Sequence, residues 1–380
     1  MKTKLNLLFI ILGSLLIIIG INFRHTKVHN VKQIDSTLTV QLSFVGDLMC
    51  HSPQFNSAKI KKDSFNFKPA FRFIKSYLEK SDATFGNFET VVAGIKERIS
   101  GYPYFNTPEE YLEGLSNAGF DVLFTANNHS ADRKKKGIFS TIENVKKYGM
   151  IPIGTYTSQN DRDSVRIIDI KGLKIGLQAY TYGLNGNVLP KNENYLVNVI
   201  DTNLIRSDIK KIKNSRPDLI IIYFHFGEEY SRKPSEYQKE IAAKTFAYGA
   251  DIIIASHPHV IQAIEYSDSA TGKLQKGLIA YSLGNFYSNQ QWRYSDAGVI
   301  LNLEITKNIP KDSLWINNVS SIPTWVFRGN TGNKIESVIL PSDTSLIKPL
   351  PAFLKKEDIA KINQAFEDTR QMLGTKSDQN

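Results

Sequence analysis

The sequence predicts an α/β fold in which short apolar strands alternate with amphipathic helices. The strands are indicated by runs rich in β-branched and aromatic residues, as buried strands are. Three of the intervening helical stretches end in a glycine, Gly119, Gly149 or Gly249, a few residues before the next strand. Repetition of strand, helix and strand implies right-handed crossovers and hence an α/β architecture.

The individual elements follow from these patterns. The predicted strands of the main repeat are residues 39–46, 82–89, 121–128, 218–227, 251–257 and 277–286. The predicted helices between them are residues 67–81, 107–119, 138–149, 202–215 and 234–250. Alternating runs on either side of Lys171-Gly172 predict a hairpin. Further strands at 297–306, 321–329 and 334–340 predict either a mixed sheet or two sheets packed face to face, and 351–373 is a predicted helix.

The N-terminal segment predicts export. Residues 5–23 are almost entirely apolar, close to the roughly 20 residues that a membrane span requires. A cleaved signal peptide is the alternative, but its apolar core is usually about 7 to 15 residues long, and no small-x-small cleavage site follows this run. We therefore expect a signal anchor at 1–23, a polar stalk at 24–38, and a single-pass protein of the cell membrane whose main domain lies outside the cytoplasm.

Composition narrows the classes of partner. The formal net charge of +10 suits an anionic polymer or an anionic membrane surface. The chain lacks an arginine-aromatic cluster and zinc-finger spacing, so nucleic acid is not an expected partner. Cys50 is the only cysteine, which excludes an intrachain disulfide.

Five of the seven histidines follow the ends of predicted strands, where ligands gather in open α/β sheets. They are His51, His129, His225, His257 and His259. Each alone is compatible with an ordinary polar residue in a turn, but side chains two positions apart on an extended segment point to the same side, as in His257-Pro258-His259.

Two carboxylates share this placement, since Asp47 and Glu89 end the first two predicted strands. Oxygen and imidazole ligands without thiolate favour manganese, zinc or iron. Metal-assisted hydrolysis is the reaction class that such a site supports.

Six motifs in order, GD-x-M, GN-x-E, NNH, HFG-x-EY, HPHV-x-Q and SLGNF, resemble those of the bacterial capsule-synthesis CapA family. The best-known members of that family take part in making poly-γ-glutamate, and the family is similar to the calcineurin-like metallophosphoesterases. The resemblance covers about residues 40–290. It implies a four-layer α/β/β/α sandwich with mixed sheets at 39–310. Residues 311–380 lie outside the resemblance, and their pattern predicts C-terminal strands and a helix.

The resemblance also implies roles for the site residues. The implied metal ligands are Asp47 on a first metal, Glu89 between two metals, Asn128 and His225 on a second, and His257 and His259 serving both. His129 would stand off the metals and bind the substrate oxygen or protonate the leaving group, which suits an imidazole. Glu229, Tyr230 and Asn285 are further candidates for contacting substrate, although Asn285 is equally suited to orienting a ligand.

Two positions depart from the pattern, and one of them is Glu89, which stands where the wider superfamily has a bridging aspartate. The wider superfamily usually carries Asp-x-His, whereas this chain has Asp47-Leu48-Met49, and a thioether is a poor ligand for these ions. Either His51 replaces the missing histidine as a metal ligand, or the first metal is weakly held.

These inferences lead to two hypotheses. The first is a membrane-anchored, metal-dependent hydrolase that acts on a phosphoester or an anionic polymer in the biosynthesis of capsule, poly-γ-glutamate or another envelope polymer. The second is a non-catalytic accessory subunit that binds or guides an anionic polymer within a membrane synthase complex.

Overall fold

Two mixed β-sheets stacked face to face form the centre of the molecule. The computed structural model describes residues 36–332 and 334–374. The predicted anchor and all but the last three residues of the predicted stalk therefore lie outside the described residues. Within the described part, no helix combines the length and apolarity needed to cross a membrane.

The described residues contain 16 strands and 8 α-helices. The strands are β1 (Thr37–Leu48), β2 (Lys59–Lys61), β3 (Ser64–Phe65), β4 (Ala83–Asn87), β5 (Val122–Phe124), β6 (Ile151–Ile153), β7 (Arg166–Ile170), β8 (Leu173–Thr181), β9 (Leu219–His225), β10 (Ile252–Ser256), β11 (Ile264–Ser267), β12 (Gly277–Ala280), β13 (Asn285–Tyr287), β14 (Ala297–Asn308), β15 (Ser313–Asn330) and β16 (Ile335–Pro341). The helices are α1 (Ser52–Ala58), α2 (Lys75–Leu78), α3 (Glu110–Ala118), α4 (Lys134–Lys147), α5 (Gln159–Asp163), α6 (Thr202–Asn214), α7 (Glu236–Tyr248) and α8 (Lys356–Leu373).

The first sheet has eight strands in the order β16-β15-β14-β1-β4-β5-β6, and β13 pairs with the end of β1. The strands β1, β4, β5, β6 and β13 are parallel, whereas β14, β15 and β16 form an antiparallel extension. The antiparallel strands therefore belong to the same sheet as the parallel strands.

The second sheet has the order β11-β12-β10-β9-β8-β7. Its four central strands are parallel, and an antiparallel strand closes each edge. The predicted hairpin is confirmed as β7 and β8, with Lys171 and Gly172 both at positive φ in its turn. β2 and β3 form a separate small ribbon.

Three apolar layers hold four structural layers together. The inner faces of both sheets share one buried cluster, in which the rings of Phe124 and Tyr223 stack with centroids 4.3 Å apart. A second cluster joins the first sheet to α3, and a third joins the second sheet to α6 and α7. The predicted four-layer α/β/β/α sandwich with mixed sheets is therefore confirmed.

Two predicted elements differ from the structure. Residues 67–81 are not one helix but a 3-10 turn at Lys68–Phe71 followed by α2. Their apolar side chains, except Phe73, still pack into one buried cluster. The apolar periodicity therefore indicated burial, not a continuous helix. Residues 277–286 are not one strand, because the chain leaves the second sheet after β12 and enters the first at β13, turning at Gly284 with φ 68°.

Candidate metal centre

The parallel strands of both sheets end at the same edge of the sandwich, and this edge gathers the predicted ligands. Asp47 lies near the end of β1, Glu89 follows β4, and His225 is the last residue of β9. Asn128 and His129 follow β5, and His257 and His259 follow β10. All of these side chains are buried, which is unusual for so many polar groups in one place.

Donor atoms of these residues form three overlapping groups. Within each group the atoms lie within 4.8 Å of one another. The groups are Asp47, Glu89 and His259; Glu89, His225 and His257; and Glu229, His257 and His259. Glu89 belongs to two groups that otherwise share no member, so its carboxylate lies between two potential metal positions.

Hydrogen bonds orient ligands that come from both sheets. Asn87, the last residue of β4, donates from Nδ2 to Asp47 Oδ1 over 2.8 Å, and its Nδ2 lies 3.2 Å from His225 Nδ1. His225 Nε2 lies 3.0 Å from Asn128 Oδ1. These partners direct Nε2 of His225 and the amide oxygen of Asn128 to the same point.

The H-x-H turn is held in an unusual backbone conformation. His257 has φ 109° and His259 has φ 58°, both in the left-handed region that residues with a Cβ rarely adopt. Such conformations cost about 1–3 kcal/mol each and persist where the surrounding structure imposes them. Here the turn directs two imidazoles into one buried cluster.

Two buried atoms in the cluster lack a hydrogen-bond partner among the described residues, Glu89 Oε1 and His257 Nδ1. Glu89 Oε1 lies 3.6 Å from His225 Nε2 and 3.9 Å from His259 Nε2. Buried polar atoms are normally satisfied, because an unpaired one costs about 1–3 kcal/mol. A divalent cation among these nitrogen and oxygen donors would satisfy both atoms, so the residues present fit a metal site.

The electrostatics of the cluster agree with this fit. Burial, and next the neighbouring carboxylate of Asp47, raises the pKa of Glu89 well above its usual value. Burial lowers the pKa of His257 to about 3 and that of His225 well below its usual value. The imidazoles are therefore neutral, the form that binds metals, and a cation would offset the repulsion between the carboxylates.

His129 stands beside this cluster with its own partner. Its Nδ1 lies 2.8 Å from Asp132 Oδ2, which also accepts the backbone N–H of Phe105. The ring of Phe105 packs edge-on against the imidazole at 4.7 Å. With Nδ1 directed at a carboxylate, Nε2 is the atom of His129 left for a substrate, and Asn185 Nδ2 lies 3.5 Å from it. Asp132 was missed in the sequence, where the spacing His129-x-x-Asp132 was the available signal.

Comparison with known protein families shows to which family the chain belongs. The model of the bacterial capsule synthesis protein family, PGA_cap, matches residues 41–290. The chain belongs to this family. The resemblance drawn from the six motifs is thus confirmed.

Two family relatives are similar over much of the chain. A capsule biosynthesis protein CapA of Bacillus anthracis is 29% identical over 269 residues, which are 68% of this chain and 62% of the relative. A PGA biosynthesis protein CapA of Bacillus subtilis strain 168 is 27% identical over 270 residues, which are 70% of this chain and 68% of the relative. The chain therefore matches less than two thirds of the length of the Bacillus anthracis protein.

Solved structures with a similar fold include phosphoesterases. One is a novel phosphatase from Mycoplasma pneumoniae, with a TM-score of 0.47 and 13% identity over 80% of this chain and 95% of that chain. Another is the calcineurin-like phosphoesterase YfkN of Bacillus subtilis, with a TM-score of 0.44 and 16% identity over 88% of this chain and 99% of that chain.

His51 is not among the three groups of donor atoms in this member of the PGA_cap family. It precedes α1, its Nδ1 lies 3.2 Å from Gln54 Oε1 and accepts the backbone N–H of Asn289, and its ring packs edge-on against Phe105. Met49 is buried, and the Ser288 hydroxyl donates to its sulfur at 3.8 Å. The structure therefore does not group the predicted ligand His51 with the donor atoms around Asp47.

The remaining candidate substrate-binding residues surround the predicted metal ligands and differ in how exposed they are. Glu229 and Tyr230 are exposed, and the ring of Tyr230 lies 6.1 Å from that of His259. Asn285 is fully buried, with Oδ1 3.2 Å from His259 Nδ1, so it lies behind a ligand and not at the solvent-facing mouth. Tyr182, which the sequence did not single out, packs on His257 at 4.5 Å.

Proposed function

We propose that this protein is a metal-dependent hydrolase of the cell envelope that acts on a phosphoester-type substrate in the biosynthesis of capsule, poly-γ-glutamate or another envelope polymer. The observation that carries the proposal is the position of Glu89, whose unpartnered Oε1 lies between His225 and His259 in overlapping groups of donors. The names of the family and its relatives support the polymer context.

The proposed location rests on the sequence. The apolar residues 5–23 would anchor the chain in the cell membrane, with the described domain outside the cytoplasm. The domain would then bind the anionic polymer or phosphoester at the membrane surface. Subunits of a membrane synthase would be its neighbours there.

The ligands divide into two sets that share Glu89. Asp47 and His259 would hold one divalent ion, and His225, His257 and Asn128 would hold another. Manganese, zinc or iron suits these donors. When bound, such an ion polarises a phosphoryl oxygen and lowers the pKa of a bound water towards neutrality.

The surrounding residues would perform the proton transfer and the positioning. His129, oriented by Asp132, would donate a proton from Nε2 to the leaving oxygen. Asn87 and Asn285 would hold Asp47 and His259 in place. Glu229 and Tyr230 at the mouth would contact the part of the substrate that does not react.

Met49 favours a second candidate function. With no histidine at this position, the site of Asp47 has one ligand fewer than an Asp-x-His motif would give. A non-catalytic subunit that binds an anionic polymer, with a metal in a structural role, is compatible with that loss.

Metal analysis combined with turnover measurements tests the proposal. The full chain is purified after supplementation with manganese or zinc, and both bound metal and hydrolysis of phosphodiesters, phosphomonoesters and poly-γ-glutamate are measured. We expect bound metal and hydrolysis of a phosphoester, with His257→Ala losing both and the control His29→Ala, outside the described residues, losing neither. Absence of metal from every preparation overturns the proposal. Bound metal without hydrolysis, together with polymer export that survives His129→Ala, favours the accessory role.

A further inference from the structure

A row of cationic side chains lies along α6, on the outer surface of the sandwich. Arg206, Lys210 and Lys213 are spaced at i, i+4 and i+7 and so share one face of the helix. Arg216 follows two residues after the helix ends. All four residues are exposed. We name these four residues the α6 basic stripe.

The stripe is unpaired within the described part of the chain. None of its four side chains forms an ion pair or a side-chain hydrogen bond with another described residue. The neighbouring lysines differ, since Lys211 pairs with Asp163 at 2.8 Å and Lys273 pairs with Asp312 at 2.9 Å. The positive charge of the stripe is therefore available to an external anion.

Residues of the stripe line two adjoining surface cavities. Lys213 and Arg216 line a cavity of about 350 Å³, whose other charged lining residues are Lys273, Asp218, Asp251 and Asp312. Arg206, Lys210 and Lys213 line a second cavity of about 520 Å³ beside Tyr248. Because Lys213 lines both, the cavities adjoin, and together they offer room for more than one phosphate group.

The C-terminal end of the stripe, with Lys213 and Arg216, reaches the edge where the chain enters the domain, because α6 starts beside the end of β8 and ends before the start of β9. Leu38, near the start of β1, pairs with Lys307 of β14. Lys307 Nζ lies 2.5 Å from Asp218 Oδ1, and Asp218 lines the first cavity. The candidate metal centre lies at the opposite edge, where the parallel strands end.

We propose that the α6 basic stripe binds the phosphate headgroups of anionic lipids, so that the domain rests on the membrane with the candidate metal centre facing away. The apolar residues 5–23 predict a membrane close to the point of chain entry. Residues 24–36 can span at most about 3.3–3.6 Å each, so the domain is tethered near the bilayer. The proposal goes beyond the proposed function and does not depend on catalysis.

The positive charge of the α6 basic stripe sets the expected strength of membrane binding. A basic residue close to an anionic membrane strengthens binding by about fivefold. The attraction extends only about 10 Å at ordinary ionic strength. Docking through the stripe should therefore require both anionic lipid and moderate salt.

Fluorescence quenching in nanodiscs tests the orientation. The full chain is reconstituted with either neutral lipid or a mixture containing phosphatidylglycerol, each carrying a headgroup quencher. A fluorophore is attached through Asn214→Cys, beside the stripe, or through Val188→Cys, which is 91% exposed in the loop after β8 at the metal edge. Cys50 is fully buried and should not be labelled. We expect strong quenching only at position 214 and only with phosphatidylglycerol, reversed by high salt.

Two charge variants complete the test. The first changes Arg206, Lys210, Lys213 and Arg216 to glutamine and should abolish the lipid-dependent quenching. The matched control removes the same charge from four exposed residues elsewhere, Lys59, Lys61, Lys62 and Lys96, and should retain the quenching. Equal quenching at positions 188 and 214, or an equal loss in both variants, overturns the proposal. Binding of soluble poly-γ-glutamate through the stripe, without lipid-dependent quenching, overturns it in favour of a polymer site.

Discussion

At the scale of single residues, Glu89 is the most informative side chain of the site. A fully buried carboxylate beside a second carboxylate destabilises the folded chain unless a cation or a proton neutralises it. The stability of the fold alone therefore does not explain why a carboxylate occupies this position.

The destabilisation caused by the buried carboxylate of Glu89 gives the first prediction. Glu89→Gln should leave the metal-free protein as stable as the parent or more stable, because it removes the buried repulsion. The same variant should lose the stabilisation by metal, which for the parent is about 2.7 kcal/mol at a metal concentration 100 times Kd. Thermal unfolding with and without manganese measures both effects. Glu97→Gln, outside the groups of donor atoms, is the control, and an equal metal response in parent and Glu89→Gln would contradict the prediction.

The pair of His129 and Asp132 gives a second prediction. His129→Ala should lower kcat by about 10²–10⁴-fold, the usual contribution of a general acid, without changing metal content. Asp132→Asn should lower kcat less, with KM nearly unchanged, because it disturbs only the orientation of the imidazole, and Asp132→Glu should recover part of the loss. Steady-state kinetics and metal analysis check this. Loss of metal in Asp132→Asn would show that the residue supports the ligands instead.

The residue types and their positions at strand ends were enough to predict most of this site. Partners that depend on tertiary contacts could not be predicted from the sequence. Asp47, Glu89, Asn128, His225, His257 and His259 meet because parallel strands place their ends together. The burial of Asn285 behind His259 and the packing of Tyr182 on His257 depend on how the loops fold back. No periodicity in the sequence encodes those contacts.

At the scale of elements, the junction of β1, β13 and β14 positions Asp47. The backbone N–H of Asp47 donates to Gly284 O over 2.9 Å. A Cβ on Gly46 would lie 1.9 Å from that same oxygen, and one on Gly298 would lie 2.4 Å from Asn285 O. The three strands approach this closely only because glycines occupy the contacts.

Gly46→Ala should therefore destabilise the protein and displace Asp47. We expect a loss of about 1–3 kcal/mol in the free energy of unfolding, as for other overpacked positions, together with weaker metal binding. Gly183→Ala is the matched control, since no atom outside its chain neighbours lies within 4 Å of the added Cβ and the change should stay within about 0.5 kcal/mol. Denaturant unfolding and metal titration provide the measurements, and equal stability of the two variants would contradict the prediction.

The order of elements was predictable because the apolar runs and helix-ending glycines are local signals, but the path between the sheets was not. Residues 277–286 read as one strand, yet Gly284 turns the chain from the second sheet to the first. Short elements such as β6, β11 and α5 carry too few residues for a recognisable period.

At the scale of the whole molecule, residues beyond the family match are part of the same core. The match ends at residue 290, whereas β15 pairs along β14 and carries β16 at the edge of the first sheet. A buried cluster joins these strands to α8. Asp368 of α8 also accepts from Arg293 at 2.8 Å, in the loop that carries Trp292 at the mouth of the site.

A chain that ends at residue 310 should therefore fail to fold as a stable monomer. It would leave β14 as an unpaired edge and would expose the retained core residues against which Leu314, Val326 and Ile339 pack. We expect aggregation on expression, or a soluble form that binds an apolar dye and unfolds without a cooperative transition. A chain that ends at residue 374 removes only residues outside the described part and should unfold like the full chain. Cooperative unfolding of the 310-residue chain would instead show that residues 39–310 form an independent domain to which the last strands and α8 are an addition.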